Sequence, residues 1–187
     1  TNKMQNQVKE FHETFGHPVE EKPTLVDLKR FTDRQSWGTI EEAIELLHAI
    51  SNADEEFEEA FKQLMNGARE GYHKQLKKKR PKTKEEKLVA IADALADKLY
   101  FVLGDAVEAG IDIELVMNHV HQSNMSKLFE AEDGTLYAEY TDKGKVKKSD
   151  RFFEPEPKIK EEIKNQLNSN KGSLYVSLDT TTSEDKS

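Results

Sequence analysis

Three glutamates lie close together in the sequence at Glu41, Glu42 and Glu45. On a helix that turns about 100° per residue, their side chains fall within an arc of about 100°. Carboxylates at this spacing repel one another, which costs little where water and salt screen the charges. In an enclosed site they would need a cation, most naturally Mg²⁺, which prefers carboxylate oxygens and water. The plainer interpretation is a solvated face, which glutamates opposite an apolar stripe usually form.

The apolar residues around these glutamates predict the helix that carries them. They recur at intervals of three and four and give one stripe, formed by Ile40, Ala43, Ile44, Leu47 and Ile50. Gly38 and Thr39 are expected to end a turn and cap the start of this helix, with Glu42 at capping-box spacing. The preceding helix either ends before Trp37 or bends there into the glutamate helix.

A second acidic pair, Asp93 and Asp97, interrupts the longest helical pattern, residues 84–109. The two aspartates are four apart and share a helix face. Burying a carboxylate beside aromatic residues is costly unless it is paired or binds a metal. The alternative is that the pair faces a water-filled groove or a lysine. The pattern is so apolar around its circumference that it predicts burial in a bundle or an oligomer interface.

A polar segment ends the next predicted helix, which Asp112 caps and which runs through about Lys127. It runs from His121 through Asn124 to Lys127 and offers hydrogen-bonding groups that suit a sugar, a base edge or a phosphate. Lys145 and Lys148 of a predicted β-hairpin at 135–148 could reach substrate phosphates. The alternative for the first segment is a polar C-terminal turn in which a lysine complements the helix dipole.

The remaining patterns predict an all-α fold: a bundle of about five core helices with a small C-terminal β-hairpin and arm, assembled as an oligomer. A single domain is expected over residues 1–167, with a disordered tail over 168–187 that could include a short strand at Leu174–Val176. Further helices are predicted over residues 4–15, from Thr24, over 54–75 with Asp54 as cap, and through Ile159, Ile163 and Leu167.

Composition limits the classes of function. The net charge of −8 argues against binding a nucleic-acid polymer. The 187 residues include no cysteine, which excludes disulfides and thiolate sites and suits a reducing cytoplasm. No apolar run approaches the length of a membrane span. With 35% hydrophobic and 34% charged residues, the core is modest, and an oligomer would bury more apolar area.

Taken together, these segments resemble the all-α NTP pyrophosphohydrolase superfamily, which includes MazG, the dimeric dUTPases and phosphoribosyl-ATP pyrophosphohydrolase. The resemblance covers about residues 4–160. It depends on Glu-Glu-x-x-Glu from Glu41 and on Asp-Ala-Leu-Ala-Asp-Lys-Leu-Tyr from Asp93. The segment from His121 to Lys127 is similar to the phosphoribosyl-ATP pyrophosphohydrolase-like branch. One departure concerns the second motif, usually Glu-x-x-Asp, because Ala94 stands where the glutamate is expected.

The resemblance implies Mg²⁺-dependent cleavage of a (d)NTP to (d)NMP and pyrophosphate, with Mn²⁺ as an alternative ion, in nucleotide-pool house-cleaning. It also implies a homodimer or dimer of dimers whose sites are assembled between subunits. The implied metal ligands are Glu41, Glu42, Glu45, Asp93 and Asp97, of which Asp97 carries over more securely than Asp93. The implied catalytic residues are Glu41 and Glu42, either of which could take a proton from water. The implied nucleotide-binding residues are His121, Asn124, Lys127, Lys145 and Lys148.

Three alternatives remain open at this point. The enzyme could hydrolyse phosphoribosyl-ATP in histidine synthesis. The chain could sense nucleotides without cleaving them, or it could be a non-catalytic helical scaffold.

Overall fold

The computed structural model describes residues 2–169, so the predicted tail beyond 169 and its strand at Leu174–Val176 lie outside the described residues. The fold is all-α with one small antiparallel sheet, as the sequence predicts. The described residues form two compact units, 22–96, and 2–21 together with 97–169. The elements are α1 Lys3–Phe15, α2 Leu28–Arg34, a π-helical turn Gln35–Thr39, α3 Ile40–Ile50, α4 Asp54–Leu76, α5 Lys84–Ala109, α6 Ile113–Met125, β1 Phe129–Glu130, β2 Leu136–Tyr137 and α7 Glu156–Asn168.

In the unit 22–96, α2 runs through the π-helical turn directly into α3. The helix begins at Leu28 rather than Thr24, because Asp27 accepts a hydrogen bond from the Arg30 amide at 2.8 Å and caps it. Thr39 has helical dihedrals and makes no side-chain cap bond, so the predicted cap at Gly38 and Thr39 is wrong. The alternative expectation, a bend near Trp37, is the one observed. A π turn accommodates an extra residue without ending the helix.

Helix α4 packs against α3 in the same unit. The rings of His48 and Phe57 meet edge to face, with 5.1 Å between their centroids. Asp54 is the first residue of α4, and the cap position belongs to Ala53, so the predicted aspartate cap is wrong by one residue. Glu56 instead accepts a hydrogen bond from the Asn52 amide at 3.1 Å, which gives that N–H group before the helix an acceptor.

In the other unit, α1 packs against α6. Gln7 donates to the side chain of Asn118 at 2.7 Å, and Gly16 ends α1 with a φ of 70°. Among the described residues, the buried hydrophobic side chains are Phe15 and Leu128, and Phe15 is the one that is fully buried. The Tyr140 hydroxyl donates a hydrogen bond to the Phe15 carbonyl, which ties the segment after the sheet to the end of α1.

Helix α7 packs on α6, and Gln166 bonds to the backbone at the start of α6. The Gln166 carboxamide accepts from the Asp112 amide at 2.8 Å and donates to the Asp112 carbonyl at 3.2 Å. It also donates to Glu162 at 3.0 Å. The backbone groups at the start of α6 are thereby satisfied by a side chain of α7, although Asp112 makes no side-chain cap bond itself.

Only part of the predicted hairpin at 135–148 is present. The ladder pairs Phe129 with Tyr137 and Glu130 with Leu136, so the first strand lies before the predicted hairpin. Within the predicted range, the turn Asp142–Gly144 closes a single bridge between Tyr140 and Val146. Two-residue strands are too short to show alternation in a sequence, which is why β1 was not predicted.

Helix α5 is as long as predicted, but a single chain leaves much of its apolar surface exposed. The exposed fractions are 81% for Tyr100, 75% for Phe101 and 54% for Val102. The expected burial of this helix is therefore not provided by residues 2–169 of its own chain. In the part of the chain described here, no helix has the length and apolar character needed to cross a membrane.

Replacing Phe15 with alanine is expected to lower the free energy of unfolding by about 3–5 kcal/mol, because Phe15 is the largest fully buried side chain described. Chemical denaturation of both proteins measures the change. Leu167→Ala is the matched control, since Leu167 is 78% exposed. Equal losses for the two variants would contradict the proposed core.

Candidate active site

The acidic triplet, defined as Glu41, Glu42 and Glu45, lies exposed on α3. Although Glu42 is exposed, the part of it that is covered raises its pKa above the ordinary value of 4.5. The negative charges of Glu45 and Glu41 raise this pKa further. A hydrogen bond with the Glu45 side chain acts in the same direction. The helix therefore holds these carboxylates close enough to disfavour their simultaneous ionisation.

The usual compensation for carboxylates near the start of a helix is missing here. Free N–H groups and the helix dipole stabilise acidic residues in a first turn. Because α3 continues from α2 through the π-helical turn, the Ile40 N–H is already bonded to the Gln35 carbonyl. The triplet therefore lies within a longer helical run, and a bound cation is the compensation that its chemistry favours.

Asp93 lies on α5 beside an open groove of about 590 Å³ within the unit 22–96. Glu86 lines the same groove but is engaged as a cap, since it accepts from the Lys82 and Thr83 amides at 2.7 and 3.1 Å. These two hydrogen bonds lower the pKa of Glu86. Glu85 and Asp93 are thus the other acidic residues lining that groove.

Asp97 lies one helical turn beyond Asp93 on α5, so the two carboxylates share a face of that helix. Over residues 2–169, no group of three or more histidine, cysteine, aspartate or glutamate side chains is placed so that it could hold a metal ion. The acidic triplet and the aspartate pair fit a hard divalent cation in the chemistry of their donors. The described residues of one chain do not by themselves form a complete coordination shell for such a cation.

A basic cluster, defined as Lys127, Lys145 and Lys148, lies in the other unit. Burial lowers the pKa of Lys127, and the positive charges of Lys148 and Lys145 lower it further, while Glu154 acts in the opposite direction. Lys148 also lies 3.6 Å from the Glu154 carboxylate. The charge of Lys127 is thus disfavoured by its surroundings, and a bound anion would stabilise it.

Serine hydroxyls fix the backbone around this basic cluster. Ser123 donates to the Phe153 carbonyl at 2.8 Å, and Ser149 donates to the Ser126 carbonyl at 3.2 Å. The Phe153 amide in turn donates to the Ser126 hydroxyl at 3.2 Å. Ser123 and Ser149 are both buried. These bonds join the end of α6, which precedes Lys127, to the segment that follows Lys148.

The structure places the other predicted nucleotide-binding residues at the same end of α6. Asn124 is half-buried there. His121 is largely covered, and its Nε2 lies 3.2 Å from the Glu10 carboxylate on α1. Sequence reasoning missed Glu10 and the three serines as partners. No spacing rule could have revealed them, because each contact joins segments distant in sequence.

The sequence and the structure of this chain are both similar to known proteins. A family model described as phosphoribosyl-ATP pyrophosphohydrolase matches residues 8–124. A crystal structure from Exiguobacterium sp. 255-15, described as a candidate NTP pyrophosphohydrolase, is similar at 36% sequence identity and a TM-score of 0.81. The match covers 89% of this chain and 96% of that one. No curated protein sequence matches the chain.

Glu42→Gln is expected to raise the melting temperature at neutral pH when chelator removes divalent ions. The raised pKa means that the folded state binds this proton more readily than the unfolded state does. Its contribution to stability is therefore present below pH 4.5 and is lost as the pH rises through the raised value. The advantage of the variant should accordingly shrink as the pH falls toward 4.5.

Thermal unfolding of both proteins across this pH range measures the effect. Glu20→Gln is the control, because Glu20 is an exposed glutamate outside the acidic triplet. If Glu42→Gln were destabilising at neutral pH, the repulsion inferred for the triplet would not exist.

Proposed function

Since the chain belongs to the phosphoribosyl-ATP pyrophosphohydrolase family and is a hydrolase of pyrophosphate bonds, we propose that it cleaves (d)NTPs to (d)NMPs and pyrophosphate with Mg²⁺. The observation that supports this proposal most is the acidic triplet, in which partial burial and then the charges of the neighbouring carboxylates raise the pKa of Glu42. Such a site favours a divalent cation, and a divalent cation is what a triphosphate substrate needs.

Each acidic residue has a proposed role. Glu42 and Glu45 of α3 hold the ion together with Asp97 of α5. Asp93 is a further ligand, and Mn²⁺ is the alternative ion. When bound, the ion neutralises phosphate charge and orients the attack of water. Glu41 serves as a ligand or takes the proton from the attacking water, a role that Glu42 could fill instead.

The basic cluster is proposed to hold the polyphosphate. Lys127 is half-buried and its charge is disfavoured by Lys145 and Lys148, so an incoming anion would relieve that repulsion. Positive charge also suits a departing pyrophosphate, which carries most of the negative charge after cleavage. His121 and Asn124, at the end of α6, are proposed to contact the nucleoside.

Two observations support a homodimer or a dimer of dimers. The apolar surface of α5 is exposed in a single chain, with Phe101 at 75% and Tyr100 at 81%. The acidic residues also lack a complete metal shell within the described chain. A second copy that covers α5 would bury this surface and could complete the site. A cytoplasmic location belongs to the same proposal.

Phosphoribosyl-ATP is the second candidate substrate, and the family description favours it. It would be cleaved at the same bond by the same residues. The relative from Exiguobacterium, described as acting on NTPs and similar over 89% of this chain, favours the first candidate. Two non-enzymatic alternatives to cleavage are nucleotide sensing and a scaffold role.

A product assay is expected to show monophosphate and pyrophosphate, formed with Mg²⁺ and absent with chelator. The purified protein would be incubated with a panel of NTPs and dNTPs and with phosphoribosyl-ATP, and the products separated. Turnover of phosphoribosyl-ATP alone would establish the second candidate. Diphosphate plus orthophosphate would show that a different bond is cleaved, and no product at all would favour the non-enzymatic alternatives.

Asp97→Asn is expected to reduce kcat/KM at least about 100-fold, because a lost metal ligand removes several kcal/mol of transition-state stabilisation. Asp93→Asn should cost less, since Ala94 interrupts the usual second motif at this point. Circular dichroism of both variants controls for folding. A larger loss for Asp93→Asn would reverse the assignment of the two aspartates.

Phe101→Glu is expected to lower the sedimenting mass and the activity together, because it places a charge on the exposed apolar surface of α5. Sedimentation velocity and the product assay measure both on the same preparation. Lys29→Glu is the control, since Lys29 is a highly exposed polar residue of α2. A monomeric wild-type protein with full activity would contradict the assembled site.

A further inference from the structure

Helix α4 has two apolar stripes, and α3 covers one of them. Phe57, Ala60 and Leu64 are half-buried and recur at intervals of three and four along this first stripe. The ring of Phe57 meets the ring of His48 in α3 edge to face, with 5.1 Å between the two centroids. Because the first stripe already packs within the unit 22–96, the second stripe is the one available to a partner.

The second stripe lies on another face of α4 and is exposed to solvent. The exposed fractions are 39% for Phe61, 43% for Met65 and 61% for Tyr72. Ala68 lies between Met65 and Tyr72 and is exposed as well. Successive members of this stripe are four, three and four residues apart, which is the spacing of a coiled-coil seam. A seam of this kind is buried when a second helix packs along it.

The same spacing continues past the apolar residues and ends in opposite charges. Toward the start of α4 it reaches two acidic residues, and toward the end it reaches a glutamine. The α4 seam is defined as Asp54, Glu58, Phe61, Met65, Ala68, Tyr72 and Gln75. The next position, Lys79, belongs to the basic turn Lys77–Lys79 that follows α4. Lys79, Tyr72 and Gln75 line one recess of about 200 Å³, so the basic turn lies against the end of the seam.

Antiparallel pairing of two copies of α4 matches the apolar part of the seam. When Phe61 of one copy faces Tyr72 of the other, a two-fold axis makes Tyr72 of the first copy face Phe61 of the second. The same register sets Met65 of each copy opposite Ala68 of the other, because the spacing reads the same in both directions. Large side chains then meet small ones at the centre, and two aromatic rings meet at each end of the apolar part.

The polar part of the seam fits the same register. Glu58 falls opposite Gln75 of the other copy, whose carboxamide can donate to the carboxylate. Asp54 falls opposite Lys79, and both are exposed, so each end of the pair joins an acidic helix start to a basic turn. A parallel arrangement would instead set the two acidic starts side by side and the two basic turns side by side, which like-charge repulsion disfavours. The charges therefore select the antiparallel orientation.

From this arrangement we infer that α4 pairs antiparallel with α4 of a second copy along the α4 seam. The occupant is a second copy because one helix supplies both complementary ends, and a two-fold axis brings each of them to the other. This pairing adds a contact separate from the apolar surface of α5, so the two contacts together build a dimer of dimers. It does not depend on the proposed cleavage chemistry. Because the apolar part of the seam is short, the pairing should be reversible and depend on protein concentration.

Cysteine cross-linking tests the register, because the chain has no cysteine of its own. Phe61→Cys mixed with Tyr72→Cys is expected to give a dimer with a short bifunctional thiol reagent, and the mixed dimer keeps one of its two Phe61–Tyr72 contacts. Neither variant alone should cross-link, since these two positions are separated by about 16 Å along a helix axis. Gln63→Cys mixed with Tyr72→Cys is the matched control, as Gln63 lies on the opposite side of α4. Equal cross-linking in the control, cross-linking of Phe61→Cys with itself, or none in the mixture would overturn the inference.

Charge exchange tests the orientation. Asp54→Lys is expected to weaken self-association roughly 5-fold or more, because it sets a positive charge against the basic turn at both ends of the pair. Adding Lys79→Glu to the same chain should recover part of this loss, since the two charges are then exchanged. Sedimentation velocity over a range of concentrations measures the dissociation constant. Glu70→Lys is the control, an equal charge change at an exposed residue outside the seam. Equal weakening by Glu70→Lys, or no recovery in the double variant, would overturn the pairing.

The pairing of α4 and the other proposals fail in different ways. In chains that also carry Phe101→Glu, which disrupts the α5 surface, the cross-link between Phe61→Cys and Tyr72→Cys should persist, and its loss would overturn an independent α4 contact. The competing occupant of the seam is α5 of a second copy. In that case Tyr72→Cys would cross-link to Phe101→Cys instead, and the inference would be overturned. A protein that cleaves no substrate but cross-links as expected would contradict the proposed function and leave the α4 pairing standing.

Discussion

Repulsion among the carboxylates of the acidic triplet is the constraint on which the proposed site depends. A helix that places Glu41, Glu42 and Glu45 on neighbouring positions cannot separate them, and their charges add to the effect of partial burial in raising the pKa of Glu42. The start of α4 shows the contrast. There Glu55 and Glu56 lie in the first turn of a helix that follows extended backbone at Ala53, so free N–H groups offset their charge. The triplet has no such helix end, so its charge is left to solvent or to the cation proposed above.

The sequence predicted the long elements well because their periodicity persists over many turns. Helix α5 occupies the predicted range, and α1 ends before Gly16, where a φ of 70° favours glycine. The run through Trp37 was harder to predict. A glycine followed by a threonine and a glutamate at capping-box spacing resembles a helix start, whereas the chain inserts a π turn and continues. Local capping signals cannot distinguish these outcomes, because tertiary context can override local preference.

The candidate site, too, could be predicted from the sequence only in part. Residue types and spacing were enough to single out the acidic triplet, Asp93 and Asp97, and the polar segment ending at Lys127. They could not show that His121 lies beside Glu10, or that Ser149 holds the end of α6 by donating to the Ser126 carbonyl. Such contacts join segments that the sequence separates, so they become visible only once the fold is known.

The distribution of buried residues connects stability, assembly and metal binding in this chain. The buried hydrophobic residues described, Phe15 and Leu128, both belong to the unit of residues 2–21 and 97–169. The unit 22–96, all of it described, has no fully buried side chain, and it is the unit that carries the acidic triplet. A region with so little burial gains stability from whatever binds its folded form, whether a cation or a second copy of the chain. Conditions that remove either one should therefore loosen the proposed site before they unfold the region around Phe15.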